Sequence, residues 1–230
     1  FMVNCSYGNA YRITGDEKYR EPFINAAHLL TTRFNPTVGL TLSWNPSKKR
    51  PHWHYPVIID NMMNLELLTQ AHKLCGVDSL LTVAHTHAKT TMKNHFRPDF
   101  TTWHVVDYEP ETGEVRMKVT HQGYSDDSAW ARGQAWAVYG YTMMYRETED
   151  AEYLALAENI ISYCPDCKIV FCTGYEEYAV SAFQLHVSGY LMKPITPEAV
   201  QKEIDHIKGV KATEKLLTIK CFGNFEVLYN

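Results

Sequence analysis

The sequence predicts a mainly helical fold that is followed by a smaller α/β segment. Residues 11–19, 72–80 and 145–153 each hold a short polar turn with an acidic residue, and helical sequence lies on both sides of each turn. A repeated helix–turn–helix unit is typical of a helical array or toroid. After residue 167 the order becomes strand, helix, strand, helix, which is typical of a parallel α/β half-domain.

The overall composition argues against several classes of protein. The chain has 230 residues, of which 45% are hydrophobic and 21% charged, as in one large globular domain or two small ones. Its net charge of −4 gives no basic field that would attract nucleic acid or an anionic membrane. We expect no signal peptide, and no apolar run reaches the roughly 18 residues of a membrane span. Six scattered cysteines indicate reduced thiols in a cytoplasmic protein.

Two of the helical turns contain a glycine where a helix is expected to end. Gly15 and Gly76 follow helical sequence directly, and a C-cap commonly needs the positive φ that glycine adopts without strain. We therefore expect the first two hairpins to turn at these residues. The loop between the two hairpins, residues 35–56, contains four prolines together with Trp44 and Trp53.

An acidic residue lies near the start of the next apolar run. Residues 57–68 form a predicted helix, in which Asp60 is surrounded by valine, isoleucine and methionine. One interpretation is a helix N-cap, a position that aspartate suits well. The other is a half-buried carboxyl group whose pKa is raised by desolvation, so that it can act as a general acid. The residues themselves leave both interpretations open.

A β-hairpin is predicted further along the chain. Residues 101–107 and 114–119 alternate between apolar and polar side chains, and a Pro-Glu-Thr-Gly turn sequence lies between them. This pattern places His104 on the first strand of the hairpin.

Residues 120–146 begin as a polar loop and continue as a helix. Ser125, Asp126 or Asp127 is expected to cap this helix. Arg132 lies between two tryptophans on a largely apolar helix, where an unpaired guanidinium is costly to bury. This arrangement fits a cleft in which arginine clamps a carboxylate while an indole stacks on a sugar ring. The alternative is an ordinary core helix with a surface arginine.

The last third of the chain contains a C-x-x-C pair and short α/β elements. Cys164 and Cys167 fit a redox pair or half of a zinc site, and the lack of a second pair argues against zinc. The predicted elements after this pair are a strand at 168–173, a helix at 176–185, a strand at 189–194, a helix at 197–207 with proline in its first turn, and a strand from 216.

Residues 1–162 resemble the middle of the family 88 glycoside hydrolases, the unsaturated glucuronyl hydrolases. Four stretches carry the resemblance: GNAYRITG at 8–15, PVIIDNMMNL at 56–65, HVVDY at 104–108 and SDDSAWARGQAW at 125–136. The resemblance implies an (α/α)6 toroid that uses no metal and no cofactor. It also implies a partner, an unsaturated uronyl oligosaccharide left by a polysaccharide lyase, from which a 4,5-unsaturated uronic acid is removed.

The resemblance assigns roles to particular residues. By its position in the matched motif, Asp60 would protonate C4 of the vinyl ether and then, as a carboxylate, help water to add at C5. The hemiketal that results would collapse and release the rest of the sugar chain. The residues implied to bind the substrate are Trp44, His104, His121, Gln122, Arg132 and Trp136.

A second resemblance covers the end of the chain. Residues 163–209 resemble the second half of a response-regulator receiver domain, and residues 210–230 resemble a linker and the first strands of a winged-helix output domain. Thr173 matches the hydroxyl residue that contacts the phosphoryl group, and Lys193 matches the lysine that pairs with it. The phosphoacceptor aspartate would fall near Met143, within the hydrolase-like helix, so we expect no phosphorylation of the usual kind.

Both resemblances cover only part of their families. The hydrolase part lacks a second important aspartate and the first and last helices of the toroid. The receiver part lacks strands beside residues 168–173, so that strand is expected to keep an open edge. The expected function is therefore an unsaturated-uronyl hydrolase impaired by truncation, in a chimera of two incomplete genes. The alternatives are a fragment of a two-component transcriptional regulator and a chimera without function. We expect no membrane partner and no nucleic acid partner for this fragment.

Overall fold

The structure is a computed structural model that describes residues 1–47, 52–163, 167–173, 189–192, 194–209, 217–220 and 227–229. The chain forms two compact units, Phe1–Ala157 and Glu158–Asn230. No helix within the described ranges is long and apolar enough to cross a membrane.

Three helical hairpins dominate the chain up to residue 163. They are α1 (Asn9–Thr14) with α2 (Glu17–Thr31), α3 (Leu65–Cys75) with α4 (Asp78–Asn94), and α5 (Ala131–Thr148) with α6 (Ala151–Tyr163). A π-helical turn, Asn4–Gly8, precedes α1. The predicted mainly helical fold is confirmed.

The three predicted turns lie between the helices of each pair. Gly15 and Gly76 have φ angles of +67° and +69°, and their N–H groups each donate to a carbonyl four residues earlier at 2.7 Å. Both predictions of a glycine C-cap are confirmed. Glu149 ends α5 in the same left-handed conformation, with φ of +58°. This conformation costs more conformational energy for a residue with a Cβ than for glycine.

Helix α3 lies at the centre of the helical packing. It contacts α2, α4 and α5. Leu65, Leu68 and Ala71 recur at a spacing of three and are fully buried, and Ala84 and Ala88 of α4 are also fully buried. Burying a leucine contributes roughly 1.5–3 kcal/mol. The periodic apolar residues that predict these helices are therefore also the residues that join them.

Two small antiparallel sheets accompany the helices. Strands β1 (Phe34–Asn35) and β2 (Leu40–Thr41) pair with each other. Strands β3 (Tyr55–Ile58), β4 (Val105–Tyr108) and β5 (Val115–Val119) form a sheet in that order. The predicted β4–β5 hairpin is confirmed, and β3 adds a third strand that the sequence pattern did not predict.

The prediction of one helix over residues 57–68 is wrong in its first part. The chain first forms β3, then a 3-10 helix at Ile59–Asn64, and only then α3. The strand forms because β4 offers it a partner, and the N–H of Ile59 donates to the carbonyl of His104 at 3.0 Å. No side chain caps the 3-10 helix, so the N-cap interpretation of Asp60 is wrong.

Two other boundaries differ from the prediction. His104 lies just before β4 rather than on it, because the N–H groups of Thr102 and Trp103 donate to Gln134 and His95 instead of to a strand. Helix α5 begins at Ala131 without a capping side chain, so the predicted cap at residues 125–127 is wrong.

The second unit contains strands with parallel neighbours. Its described elements are β6 (Cys167–Thr173), β7 (Gly189–Met192), α7 (Pro197–Gly209), β8 (Leu217–Lys220) and β9 (Val227–Tyr229). Strand β6 pairs in parallel with both β7 and β8, and β9 pairs antiparallel with β8. The predicted open edge of residues 168–173 is therefore wrong, since β6 has a partner on each side. The predicted helix at 176–185 lies outside the described residues.

Candidate functional site

Asp60 lies in the 3-10 helix between β3 and α3, and it is nearly excluded from solvent. The residue is 6% exposed, and its Oδ2 atom has no hydrogen-bond partner among the described residues. Burial raises the pKa of its carboxyl group to about 6, while the charge of Arg132 acts in the opposite direction. A carboxyl group of this kind can hold a proton near neutral pH and give it to a substrate.

His104 faces Asp60 with a proton on a defined nitrogen. Its Nδ1 accepts from the backbone N–H groups of His121 at 2.9 Å and Gln122 at 3.2 Å. A neutral ring that accepts at Nδ1 carries its proton on Nε2. Nε2 lies 3.8 Å from Oδ2 of Asp60. Burial, together with the nearby His121 and Arg132, lowers the pKa of His104 to about 4, so the ring is neutral and the pair is not a salt bridge at neutral pH.

Trp130 joins His104 to Arg132. The His104 and Trp130 ring centroids are 4.1 Å apart, and the guanidinium carbon of Arg132 lies 4.3 Å from the Trp130 ring centroid. The guanidinium also donates to the side-chain oxygen of Gln122. The sequence pattern marked Trp130 as one of the two tryptophans that flank Arg132 but did not place it among the binding residues. Its position two residues before Arg132, just outside the helix, is what brings it into this group.

Gly133 allows this group to approach Asp60. A Cβ atom at Gly133 would lie 2.8 Å from Ile59 and 3.0 Å from the Trp130 ring. Both distances are too short for ordinary van der Waals contact. The glycine therefore lets the 3-10 helix that carries Asp60 pack directly against α5 and the indole.

His121 and Trp44 form an aromatic extension of the group. Their ring centroids are 5.6 Å apart, and Trp44 meets Trp53 edge to face at 5.5 Å. His121 is linked to His104 through its backbone N–H. Trp53, which the sequence pattern did not single out as a binding residue, is 4% exposed and packs against Trp44. The structure thus connects Asp60, His104, His121, Gln122, Arg132 and Trp44 through direct contacts.

Trp136 lies one helical turn after Arg132 on α5. It is 7% exposed, and its described ring contacts are with Phe1 at 5.3 Å and Tyr139 at 5.8 Å. These contacts do not join it to Asp60 or His104.

The receiver-like candidates are placed only in part. Thr173 is the last residue of β6, and Lys193 lies outside the described residues. Within the part of the chain that is described, no group of three or more histidine, cysteine, aspartate or glutamate side chains is arranged to hold a metal ion.

Comparisons with known proteins match the helical part of the chain. The model of Glycosyl Hydrolase Family 88 matches residues 2–164. An unsaturated glucuronyl hydrolase of Formosa agariphila is 48% identical over 159 residues, which are 69% of this chain and 39% of that protein. An unsaturated chondroitin disaccharide hydrolase of Streptococcus pneumoniae is 37% identical and covers 71% of this chain and 41% of its own length. The chain thus spans about two fifths of the length of these relatives.

Solved structures of unsaturated glucuronyl hydrolases are also similar to this chain, and a short part of the chain is similar to a response regulator. A crystal structure of an unsaturated glucuronyl hydrolase specific for heparin has a TM-score of 0.68 and 50% identity, and it covers 71% of this chain and 43% of its own. The enzyme of Bacillus sp. GL1 has a TM-score of 0.69 and 26% identity, over 90% of this chain and 59% of its own. A response regulatory protein of Vibrio vulnificus is 32% identical over only 73 residues. The two solved hydrolase structures are (α/α)6 toroids, and the three helical hairpins of this chain are part of such a toroid. The chain belongs to Glycosyl Hydrolase Family 88.

Proposed function

We propose that residues 1–162 bind an unsaturated uronyl oligosaccharide and remove its 4,5-unsaturated uronic acid by hydration of the vinyl ether. The observation that carries this proposal is the buried carboxyl group of Asp60, whose Oδ2 has no hydrogen-bond partner among the described residues and whose pKa is raised to about 6 by burial. Hydration of a vinyl ether needs an acid that can deliver a proton to carbon, and Asp60 supplies one near neutral pH. The names of the matched relatives describe the same class of activity.

In the proposed reaction, Asp60 gives one proton to the substrate and takes one proton back from water. The Asp60 carboxyl group protonates C4, and positive charge develops at C5 and the ring oxygen. Water adds at C5, and the Asp60 carboxylate takes the proton that the water loses. The hemiketal then opens by breaking the bond between C5 and the ring oxygen, which leaves a ketone at C5 and a hemiacetal at C1. The hemiacetal breaks its bond to the leaving oxygen, which takes the proton of the C1 hydroxyl group, so that an aldehyde forms at C1 and the rest of the sugar chain leaves as an alcohol. Asp60 ends the cycle protonated, so no metal or cofactor is needed for the balance of atoms.

The surrounding residues have separate roles in this proposal. Arg132 binds the uronate carboxylate, since its guanidinium offers paired N–H donors that Gln122 holds in place. His104 donates from Nε2 to a substrate oxygen beside Asp60, because its Nδ1 is already occupied. His121 lies beside the substrate, and Trp44 offers a ring face to the sugar. Trp136, whose described ring contacts are with Phe1 and Tyr139, is kept as a binding residue only because of its motif position. These assignments extend the match of the sequence motifs.

The experiment uses the 230-residue chain with unsaturated chondroitin and heparin disaccharides, since relatives are named for both. Loss of ultraviolet absorbance from the C4=C5 bond measures turnover. Turnover that disappears in Asp60→Asn would support the proposal. Asp150→Asn is the control, because it makes the same substitution at an aspartate on the α5–α6 turn, where Asp150 pairs with Lys89. Turnover that survives in Asp60→Asn would overturn the role of Asp60.

The similarity to response regulators supports a second candidate, a regulator fragment in two-component signalling. It rests on a short match and on the parallel arrangement of β6, β7 and β8. Met143, where the phosphoacceptor would fall, is a buried residue of α5. Transfer of phosphate from acetyl phosphate to the chain would favour this candidate.

We retain the division of the chain into 1–162, 163–209 and 210–230 as a proposal, together with the cytoplasmic location. Limited proteolysis should cut first between about residues 158 and 168. Equal resistance across that segment would argue for one co-folded domain.

A further inference from the structure

A second buried aspartate, Asp107, lies on β4 and has no part in the proposed chemistry. It is 0% exposed and is opposite Pro56 in the strand register. Its carboxylate accepts from the backbone N–H of Tyr55 at 2.9 Å and from that of His54 at 3.1 Å. The donors are the residue before β3 and the first residue of β3, so the carboxylate holds the start of this strand against β4.

Arg116 on β5 balances the charge of this carboxylate. Its guanidinium donates to Oδ2 of Asp107 and, from the same nitrogen, to the backbone carbonyl of His52 at 3.0 Å. At the rim, Oε2 of Glu109 lies 3.0 Å from Nδ1 of His54. A buried carboxylate is stable only when its oxygens are paired in this way. The side chains of Asp107 and Arg116, on the β4–β5 hairpin, therefore hold residues 52–55 in place through hydrogen bonds to the backbone of that segment.

Residues 52–55 include Trp53, which packs against the aromatic extension of the candidate site. The Trp53 ring meets Trp44 at 5.5 Å and His52 at 4.7 Å. Trp44 in turn lies 5.6 Å from the ring of His121. Ser43, the residue before Trp44, is joined to β3 by two hydrogen bonds. Its N–H donates to the carbonyl of Pro56 at 3.0 Å, and its hydroxyl accepts from the N–H of Ile58 at 2.9 Å. A continuous chain of contacts thus runs from Asp107 to the residues proposed to bind the sugar.

We propose that Asp107 and Arg116 are a positioning pair that holds the Trp44–Trp53 wall in place for the sugar ring. This inference rests on the proposed function, since Trp44 is a binding residue only in that proposal. Neither Asp107 nor Arg116 touches the substrate, and both act through the backbone of residues 52–55. A fixed wall lowers the entropy lost on binding, so the pair affects KM more than kcat.

The test compares Asp107→Asn with wild type in the full chain. An edge-to-face tryptophan pair gives an exciton couplet in the far-ultraviolet circular dichroism, and Trp53→Phe sets the signal without the pair. We expect Asp107→Asn to reduce the couplet towards that reference and to weaken binding of the unsaturated chondroitin disaccharide, followed by tryptophan fluorescence, about tenfold. We expect kcat to change less than KM.

The matched control is Asp150→Asn. Asp150 also accepts from a backbone N–H, at 3.0 Å from Glu152, and pairs with Lys89 at 2.8 Å, but it touches no tryptophan in the described contacts. It should leave the couplet and the binding unchanged. A folded Asp107→Asn variant that keeps both the couplet and the affinity overturns the positioning role.

Two further outcomes are separated by the same measurements. If wild type binds no disaccharide, the proposed function of this chain fails, while the couplet still decides the positioning role. If Asp107→Asn does not fold, Arg116→Gln replaces it, because glutamine keeps a hydrogen-bond donor but removes the charge that balances the Asp107 carboxylate. A smaller reduction of the couplet is then expected, and an unchanged couplet overturns the inference.

Discussion

Asp60 and Asp107 are both buried aspartates beside the same three-stranded sheet, but their surroundings are opposite. Asp107 is bonded to two backbone N–H groups and to Arg116. Asp60 has an oxygen with no partner among the described residues, and its neighbour His104, 3.8 Å away, is neutral. Both oxygens of Asp107 have hydrogen-bond donors, whereas Oδ2 of Asp60 has none among the described residues, and burial raises the pKa of Asp60.

This difference shows that burial alone does not mark a reactive carboxyl group. A buried carboxylate with all its bonds made joins segments of the chain, because breaking any bond leaves an unpaired polar group. A buried carboxyl group without partners favours its neutral form, which raises its pKa and makes it a proton donor. The two aspartates are therefore suited to different roles: Asp107 anchors neighbouring strands, and Asp60 fits the proton donor of the proposed reaction.

The largest expected difference between the two aspartates is in turnover. If the proposed reaction holds, Asp60→Asn lowers kcat on an unsaturated disaccharide about a thousandfold, which lies within the range that general acid–base catalysis supplies. Asp107→Asn lowers kcat by less than about tenfold, since it moves only the wall of the site. Equal losses of kcat in both variants would remove the distinction.

The two aspartates should also differ in stability. Asp107→Ala is expected to reduce the free energy of unfolding by about 3–4 kcal/mol, because it leaves Arg116 and two N–H groups without their acceptor. This value is taken from the lower part of the range for buried pairs, since Arg116 has 31% of its side chain exposed. Asp60→Ala loses no bond at Oδ2 and should cost much less. Urea unfolding at pH 7 measures both, and a larger loss in Asp60→Ala would contradict the comparison.

The pH dependence of stability isolates Asp60. Its pKa in the folded state, about 6, lies above its ordinary value of 3.8, so the folded state binds the proton more tightly. The stability that this proton contributes is present below about pH 4 and is lost as the pH rises through 6, by about 3 kcal/mol. Wild type should therefore lose most of that stability relative to Asp60→Asn between pH 4 and 7. A difference that is constant with pH would show that the carboxyl group is not desolvated.

The smallest expected effect concerns the rim of the Asp107 anchor. Glu109 and His54 are 33% and 42% exposed in their side chains, and an exposed pair contributes little. Glu109→Gln should change the free energy of unfolding by less than about 1 kcal/mol in the same urea experiment. A loss as large as that of Asp107→Ala would place the anchor at Glu109 instead.

The sequence by itself determined the helical hairpins and the family. Each turn is a local event, in which Gly15 or Gly76 supplies a positive φ directly after a periodic apolar helix, and such signals act over a few residues. The contiguous motifs also identified Asp60, His104 and Arg132 as candidates, although the roles of these residues stay proposals.

Only the tertiary structure decided what each candidate side chain meets. Residues 55–58 form a strand because β4, some 50 residues later, offers hydrogen bonds that no local pattern reveals. The ring proton of His104 is fixed by N–H groups 17 and 18 residues away. Asp60 and Asp107 each follow valine or isoleucine in the sequence, and their neighbours in sequence do not show which of the two carboxyl groups finds hydrogen-bond partners. Their different behaviour follows from long-range partners, which are present for Asp107 and missing for Asp60 among the residues that the structure describes.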